Sequence, residues 1–352
     1  MIPEPVPGDT ALQRLARVFD IFADHETIRT SPLYTRLIQA TAKDEELLEL
    51  AAQSKRTPVP NMLMGAVHYL LLKGVQHPLA DYYPSVVGAK AREDDPVPAF
   101  KAFCRDYRDE IIQQLHTRIV QTNEVNRCGL WLPAFSLIAQ REPGRALGLV
   151  EIGPSAGLNL LWDYYHYDYG SSYSVGRVDA PLHLSVSLRG NRIPPLLETM
   201  PPVGSRIGLD LNPVDVRDED AALWLRALVW PEHSERAERL ARATAIAQQH
   251  PPQLIAGDAL NDLPDVLARV PDDETLVVFH SFVINQFSQE GRERLSALLA
   301  EQSAHRTIYR LSIEWIRSPE TQLELRVYQG GDEVEHTLLA YVESHGRWLQ
   351  WL

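Results

Sequence analysis

The stretch that most constrains the fold of this chain lies at residues 147–159 and reads Leu-Gly-Leu-Val-Glu-Ile-Gly-Pro-Ser-Ala-Gly-Leu-Asn. Its first half is a short apolar run that ends at a turn signal, which is typical of a strand buried on both faces. Gly153 and Gly157 then mark a loop, and the apolar run Leu158–Trp162 is suited to a helix. A strand, a glycine loop and a helix in this order open a doubly wound nucleotide-binding sheet.

The glycine loop predicts either a ligand site or a simple turn of the chain. Gly153 can adopt a positive φ and lets a ligand approach the backbone, whereas Gly157 lets the helix pack closely on the strand. The N–H groups at the start of the helix would point toward a negatively charged group of the ligand. The spacing lacks the third glycine of the dinucleotide fingerprint and the Lys-Ser/Thr of a P-loop, which argues against NAD or FAD.

Composition and charge exclude several classes of partner. The chain has 352 residues, of which 45% are hydrophobic, and a net charge of -13. It can therefore form one large domain or two, but its charge opposes nonspecific binding to nucleic acid or an anionic membrane. Cys104 and Cys128 form no metal or disulfide framework and indicate buried free thiols in a reducing compartment. The sequence contains no signal-peptide pattern and no run of about 18 apolar residues, so we expect a soluble, cytoplasmic protein.

The region from about residue 10 to residue 140 is predicted to be helical. The apolar residues of Ala11–Ala23 lie on one helical face, and Ser31-Pro32 is a start signal for the next helix. Further along, Trp230-Pro231 predicts a break in a long helical region. The cluster Thr122–Arg127 has two interpretations: Thr122 or Asn123 caps the following helix, or Asn123 and Arg127 reach a bound ligand.

Charged residues follow three further predicted strands. Asp210 ends the strand Arg206–Leu211 and either holds the ribose of a nucleotide, through its hydroxyl groups, or is a turn residue. Asp258 either caps the next helix or binds a base. His280 ends the buried strand Thr275–His280, at the edge where open sheets bind ligands. It is either a general base or a hydrogen-bonded structural residue.

An aromatic stretch, Trp162–Tyr169, follows the glycine loop. Trp162 and Tyr165 either line a substrate pocket or belong to an aromatic flap over the sheet. The segment 170–204 is rich in Gly, Pro and Ser and predicts an insertion with a hairpin. Near the C-terminus, Leu323–Tyr328 and Thr337–Val342 predict an antiparallel pair of strands.

Several motifs carry a resemblance that spans most of the chain. They are Ser31-Pro32-Leu33-Tyr34, His68–Leu72, Thr122-Asn123-Glu124, Glu151–Leu160, Gly208–Pro213, Trp224–Ala227 and Trp230-Pro231. In these motifs the chain resembles DUF2332, a bacterial family of unknown function. Its strand layout, together with the positions of the glycine loop, Asp210, Asp258 and His280, is similar to that of class I S-adenosylmethionine-dependent methyltransferases.

This second resemblance implies a cofactor, S-adenosylmethionine, and a set of residues around it. The backbone of Gly153, Ser155 and Gly157 would face the methionine part. Asp210 would hold the ribose, Asp258 and Ala259 would lie beside the adenine, and His280 and Ser281 would face the methyl-transfer centre. The complete implied cofactor set is Glu151, Gly153, Ser155, Gly157, Asn159, Asp210, Asp258, Ala259, His280 and Ser281. No Asn/Asp-Pro-Pro-Tyr motif follows the fourth strand, which argues against methylation of amino groups on bases or glutamine.

We therefore predict an α/β protein whose Rossmann-like, doubly wound, seven-stranded sheet occupies residues 129–352, with an insertion at about 165–204 and a helical cap region at 1–128. The predicted function is S-adenosylmethionine-dependent methylation of a small molecule or a protein. His280 is the candidate base, and the predicted substrate-binding residues are Asn123, Arg127, Trp162 and Tyr165. The alternatives are a noncatalytic ligand-binding protein with this fold and a dinucleotide or nucleotide-sugar enzyme.

Overall fold

The computed structural model describes residues 8–170, 173–315 and 320–352. The chain divides into two compact units. The first, the helical unit, comprises residues 1–122 and 218–238, and the second, the sheet unit, comprises residues 123–217 and 239–352. Within the described ranges, no helix combines the length and the apolarity that a membrane span requires.

The α-helices are, in chain order, α1 (Ala11–Phe22), α2 (Pro32–Ala42), α3 (Glu45–Ala51), α4 (Val59–Leu72), α5 (Pro84–Val87), α6 (Val97–Asp106), α7 (Arg108–Thr117), α8 (Cys128–Arg141), α9 (Glu219–Ala227), α10 (Ser234–Gln249), α11 (Ala259–Leu267) and α12 (Gln289–Gln302). A π-helical turn lies at Ala23–Thr27, and 3-10 turns lie at Pro78–Tyr82, Gly88–Lys90, Val125–Arg127, Leu158–Tyr164 and Ile284–Gln286.

The helical unit confirms the predicted start and stop signals. The Ser31 hydroxyl accepts a hydrogen bond from the Tyr34 N–H, and Pro32 is the first residue of α2, where a missing N–H costs nothing. The predicted break at Trp230-Pro231 separates α9 from α10. The Glu232 carboxylate follows this break and accepts hydrogen bonds from the Ser31 hydroxyl (2.6 Å) and the Leu33 N–H (2.8 Å).

A buried histidine lies in the core of the helical unit. His68 of α4 lies 2.8 Å from the Ala227 carbonyl oxygen through Nδ1 and 2.7 Å from the Ser85 hydroxyl through Nε2. Burial lowers the pKa of His68 to about 4, so the ring is neutral at physiological pH. Both ring nitrogens have partners, which makes His68 a satisfied core residue.

The strands are β1 (Leu147–Ile152), β2 (His166–Asp168), β3 (Ser174–Gly176), β4 (His183–Ser185), β5 (Ser187–Leu188), β6 (Val203–Asp210), β7 (Gln253–Ala256), β8 (Thr275–Ser281), β9 (Ile308–Glu314), β10 (Thr321–Gln329), β11 (Asp332–Val342) and β12 (Trp348–Trp351). In the described residues they form a nine-stranded mixed sheet in the order β5-β12-β11-β10-β9-β8-β1-β6-β7 and a small three-stranded sheet in the order β3-β2-β4.

The parallel half of the large sheet is doubly wound. β7, β6, β1, β8 and β9 are neighbours in that order, and each adjacent pair is parallel. The chain therefore moves from β1 outward through β6 and β7 and returns to the other side of β1 at β8. This reversal puts the topological switch point between β1 and β8.

Side chains alternate between the two faces of these strands, and each face has its own core. Val150 and Ile152 of β1 join Val278 of β8 in a cluster with residues of α11 and α12. On the other face, Phe279 of β8 contacts Trp131 and Phe135 of α8 (ring centroids 5.4 Å apart in both pairs). We call these the α12 face and the α8 face.

The structure corrects the predicted sheet in several ways. It contains nine strands rather than seven, because β12 and the two-residue β5 extend the antiparallel edge. Within the predicted insertion, His183–Ser185 form β4 of the small sheet and Ser187–Leu188 form β5 of the large sheet. The predicted antiparallel pair is confirmed as β10 and β11, and Cys104 and Cys128 are confirmed as buried free thiols.

Candidate functional site

The glycine loop leaves the carboxyl end of β1, beside the switch point. Gly153, Ser155 and Gly157 have positive φ angles of 69°, 52° and 70°. This conformation is strained for Ser155, because its Cβ is crowded in the left-handed region. Such strained residues concentrate at functional sites. A Cβ on Gly153 would lie 2.5 Å from Val283 Cγ2, so this position also requires glycine for space.

The helix predicted after the loop is a 3-10 helix, Leu158–Tyr164, rather than an α-helix. Of the N–H groups at its start, that of Leu160 donates to the Gly157 carbonyl oxygen (3.1 Å). Within the loop, the Gly153 N–H donates to the Leu209 carbonyl oxygen and the Gly157 N–H donates to the Pro154 carbonyl oxygen, each over 2.9 Å. The Ser155 N–H donates to Asp210 Oδ2 (2.8 Å). These N–H groups already have protein acceptors, so they are not free to bind a phosphate.

Asn123 binds the remaining N–H of the loop. Its Oδ1 accepts from the Ala156 N–H (3.2 Å), and its Nδ2 donates to the Ser155 hydroxyl (2.9 Å). The predicted capping role is wrong, because α8 begins at Cys128 and has Arg127 at its N-cap without a side-chain hydrogen bond. Asn123 instead fixes the loop, which is compatible with the alternative that it lies close to a ligand.

Glu151 is the most unusual group of the site. It is 2% exposed and lies at the penultimate position of β1. Its Oε1 accepts from Asn159 Nδ2 (3.1 Å), and Asn159 Oδ1 accepts from the Cys128 thiol (3.2 Å). Burial of this thiol raises its pKa, which keeps it protonated and able to donate. The chain of contacts therefore fixes the Glu151 carboxyl group from one side.

The second oxygen of Glu151, Oε2, is buried and has no hydrogen-bond partner among the residues that the structure describes. Burial, followed by the nearby charge of Asp210, raises the pKa of Glu151 to about 8, whereas the Asn159 hydrogen bond and Arg127 act in the opposite direction. A buried acceptor without a donor is costly, so this oxygen marks the place where a ligand with a donor or a positive charge would be stabilised.

Two more carboxylates follow the neighbouring strands. Asp210 ends β6, and its two oxygens accept from the Ser155 and Asn212 N–H groups (2.8 Å each). Asp258 follows β7 and is the N-cap of α11, because it accepts from the Leu260 N–H over 2.8 Å. This bears out its predicted capping role. Ala259, the first residue of α11, is 7% exposed.

The carboxyl end of β8 contributes Ser281 and a residue that the sequence did not indicate, Phe282. Arg127 Nη1 donates to the Ser281 hydroxyl (3.2 Å), and the Arg127 guanidinium lies 4.4 Å from the centroid of the Phe282 ring. Phe282 has a φ of 56°, which is rare for a bulky residue. No sequence pattern predicts a phenylalanine in this conformation. Together with Ser155, it shows that strain is concentrated after β1 and β8.

His280 does not join this group. Glu151 pairs in register with Phe279, so Phe279 and Ser281 lie on the α8 face and His280 on the α12 face. His280 is fully buried, its Nδ1 lies 3.0 Å from Glu314 Oε1, and its Nε2 accepts from Arg310 Nε over 3.1 Å. Burial lowers its pKa. These contacts favour the alternative of a hydrogen-bonded structural histidine, and the general-base role stays a prediction.

Trp162 and Tyr165 are also buried and do not line the site. Both are 0% exposed. Trp162 stacks on Phe135 with ring centroids 4.9 Å apart, and the Tyr165 hydroxyl donates to the Leu158 carbonyl oxygen over 2.8 Å. These contacts support a packing role on the α8 face rather than contact with a substrate.

Both the glycine-loop site and the helical unit fall within one known sequence family. Residues 16–351 match the family described as "Uncharacterized protein conserved in bacteria (DUF2332)". The chain belongs to the DUF2332 family. Because the match covers nearly the whole chain, the DUF2332 pattern includes the helical unit as well as the sheet unit. No curated protein and no solved structure matches the chain.

Proposed function

We propose that this chain is an S-adenosylmethionine-dependent methyltransferase that acts on a small molecule or a protein. The observation that carries the proposal is the polarity of the glycine-loop site. The N–H groups of Gly153, Ser155, Ala156 and Gly157 already have acceptors, whereas Glu151 Oε2 is a buried acceptor without a donor among the described residues. Such a site favours a cationic ligand with hydroxyl and amino groups over a ligand with phosphates.

The residues fit this cofactor at three points. Glu151 Oε2 would accept a hydrogen bond from the ammonium of the methionine part. Asp210 would accept from the ribose hydroxyls, since each of its oxygens has a further lone pair. Asp258, beside Ala259, would accept from the adenine amino group. Glu151 and Asp210 lie at the carboxyl ends of β1 and β6, and Asp258 follows β7. These strands are adjacent in the sheet, so one extended ligand could contact all three carboxylates.

The bound cofactor would supply a methyl group that is activated by its sulfonium. The protein would contribute position and orientation, which account for a large part of the rate in such reactions. Arg127 is close enough to Glu151 to act on its pKa and contacts Ser281 and Phe282, so these three residues would orient the substrate. His280 faces the other side of the sheet, so the proposal gives it no proton-transfer step.

The same observation weighs against a dinucleotide or nucleotide-sugar enzyme, because a pyrophosphate needs the loop N–H groups that Asp210 and Asn123 occupy. A binding protein without turnover would use the same contacts as a methyltransferase. Turnover therefore has to be measured separately from binding.

The test is calorimetric titration of the full chain with S-adenosylmethionine, S-adenosylhomocysteine and NAD. We expect micromolar binding of the first two ligands, loss of binding in Glu151→Gln and Asp210→Ala, and unchanged binding in the control Glu301→Gln, which changes an exposed carboxylate of α12. Absence of binding of S-adenosylmethionine up to millimolar concentration, or binding of NAD instead, would contradict the proposal. Binding without methyl transfer over a panel of small molecules and proteins would identify a noncatalytic binding protein.

A further inference from the structure

A second cavity lies on the α12 face, between α12 and the strands β9 and β10. Its volume is about 300 Å³, at the lower end of the range for small-molecule sites. Six charged side chains line it, three basic and three acidic. They are Arg292, Glu293, Arg310, Glu314, Glu324 and Arg326.

The polarity of this cavity is unexpected for the interface between a helix and a sheet. Arg310, Ser312 and Glu314 are alternate residues of β9 and therefore share one face. They are 4%, 6% and 6% exposed. Apolar side chains usually occupy such a buried layer between a helix and a sheet. Burying polar or charged groups is costly unless each has a partner. The polar atoms that lack a protein partner therefore indicate which groups a ligand would supply.

Arg310 is held rigidly at one end. Its Nε donates to His280 Nε2 (3.1 Å), and its Nη1 donates to the Ser296 hydroxyl of α12 (3.2 Å). Arg292 donates through Nε to the Ile284 carbonyl oxygen over 2.9 Å. Neither guanidinium forms an ion pair with a carboxylate in the described ranges. Both guanidinium groups therefore border the cavity without a direct ion pair to these residues.

Glu314 lies at the other end with its two oxygens in different situations. Oε1 lies 3.0 Å from His280 Nδ1 and accepts from the Val283 and Ile284 N–H groups (2.9 and 3.2 Å). Oε2 is buried and has no hydrogen-bond partner among the described residues. The carboxylate is thus oriented by one oxygen, and the described residues supply no donor for the other.

We propose that this cavity binds a small zwitterion of the size of an α-amino acid. The ligand carboxylate would lie between the Arg292 and Arg310 guanidinium groups, which suit a planar carboxylate. The ligand ammonium would donate to Glu314 Oε2. Since the described lining side chains already balance three positive against three negative charges, a ligand without net charge fits better than a simple anion or cation.

This site is independent of the proposed cofactor site. Glu314 and His280 lie on the α12 face, whereas Glu151 lies on the α8 face with the glycine loop. The methionine part of S-adenosylmethionine is itself a zwitterion, so the experiment has to separate the two sites. Glu151→Gln does this, because it changes only the cofactor side.

The experiment is calorimetric titration of the full chain with each of the common L-amino acids, and with acetate and ethylamine as half-ligands. We expect at least one amino acid to bind and both half-ligands to bind much more weakly. Affinity should fall about tenfold or more in Arg292→Gln and in Glu314→Gln, the scale of losing one charged hydrogen bond. It should be unchanged in Glu151→Gln and in the control Arg294→Gln, which removes an exposed charge two residues along α12.

Glu314→Gln also weakens the contacts of His280, so its fold is checked by circular dichroism. If this variant is unfolded, Arg292→Gln alone decides, because Arg292 is partly exposed and its loss leaves the Glu314 network intact. The proposal is overturned if no amino acid binds the intact protein. It is also overturned if acetate binds as tightly as the amino acids, or if binding survives Arg292→Gln but is lost in Glu151→Gln.

Discussion

The substitution Glu151→Gln tests whether the buried carboxyl group of the glycine-loop site holds a proton while no ligand is bound. The amide has nearly the same shape and can still accept the hydrogen bond of Asn159. The pKa of Glu151 is raised from 4.5 to about 8. Between these two pH values, the folded protein therefore keeps a proton on Glu151 that the unfolded chain has already lost. Stability contributed by this proton is complete below about pH 4.5 and is lost as the pH rises to about 8.

The magnitude follows from the size of the shift. One pKa unit corresponds to about 1.4 kcal/mol, so the wild-type free energy of unfolding should fall by about 4 kcal/mol between about pH 5 and pH 8 through this group alone. Glu151→Gln has no proton to lose. The variant should therefore resemble the wild type at pH 5 and exceed it in stability by about 4 kcal/mol near pH 8.

The assay is urea unfolding of both proteins across this pH range, followed by tryptophan fluorescence and circular dichroism. All other titrating groups cancel in the difference between the two proteins. Glu301→Gln, which replaces an exposed carboxylate, should give a stability profile parallel to that of the wild type. Parallel profiles for Glu151→Gln and the wild type would refute the argument, because Glu151 would then titrate alike in the folded and unfolded chains.

Three further predictions concern the loop and the two faces of the sheet. Asn123→Ala should lower the free energy of unfolding by about 1–3 kcal/mol and weaken S-adenosylmethionine binding, measured by urea unfolding and calorimetry; a variant that binds as well as the wild type would contradict the positioning role. Gly153→Ala and Gly330→Ala both place a Cβ at positive φ, a cost of about 1–2 kcal/mol. Only Gly153→Ala also brings that Cβ against Val283, so its melting temperature should fall further; equal losses would argue against this close approach. His280→Ala should lose about 2–4 kcal/mol of stability, because it removes one hydrogen bond from each of two buried charged partners, Arg310 and Glu314, while S-adenosylmethionine still binds. Loss of methyl transfer without loss of stability would instead support the general-base role.

Local signals in the sequence predicted most elements of the fold. Ser31-Pro32 begins a helix because the hydroxyl and the missing N–H satisfy the requirements of its first turn. Trp230-Pro231 ends one because proline cannot continue the hydrogen-bond ladder. The apolar runs of β1 and β8 indicated strands buried on both faces. These signals act over a few residues, so they can be read without knowing the rest of the chain.

Local sequence signals predicted only some of the residues that form the site. Acidic residues at the ends of parallel strands were expected at one edge of the sheet. Glu151 and Asp210 lie at the ends of such strands, and Asp258 follows one. Alternation along a strand also implies that His280 and Ser281 point to opposite faces. The sequence could have shown that both residues cannot face one ligand, but it could not show which of them shares the face of Glu151.

The sequence by itself determined the helices and their ends, the parallel strands, the glycine loop and the carboxylates that follow the strands, because these depend on periodicity and on local backbone chemistry. Only the tertiary structure decided that Asp210 and Asn123 occupy the N–H groups of Ser155 and Ala156, and that His280 joins Arg310 and Glu314 on the other face. It also decided that one oxygen of Glu151 has no partner within the part of the chain that the structure describes. These contacts join residues that are 30 or more positions apart. Their geometry depends on strand register and on the packing of whole layers, which no local pattern specifies.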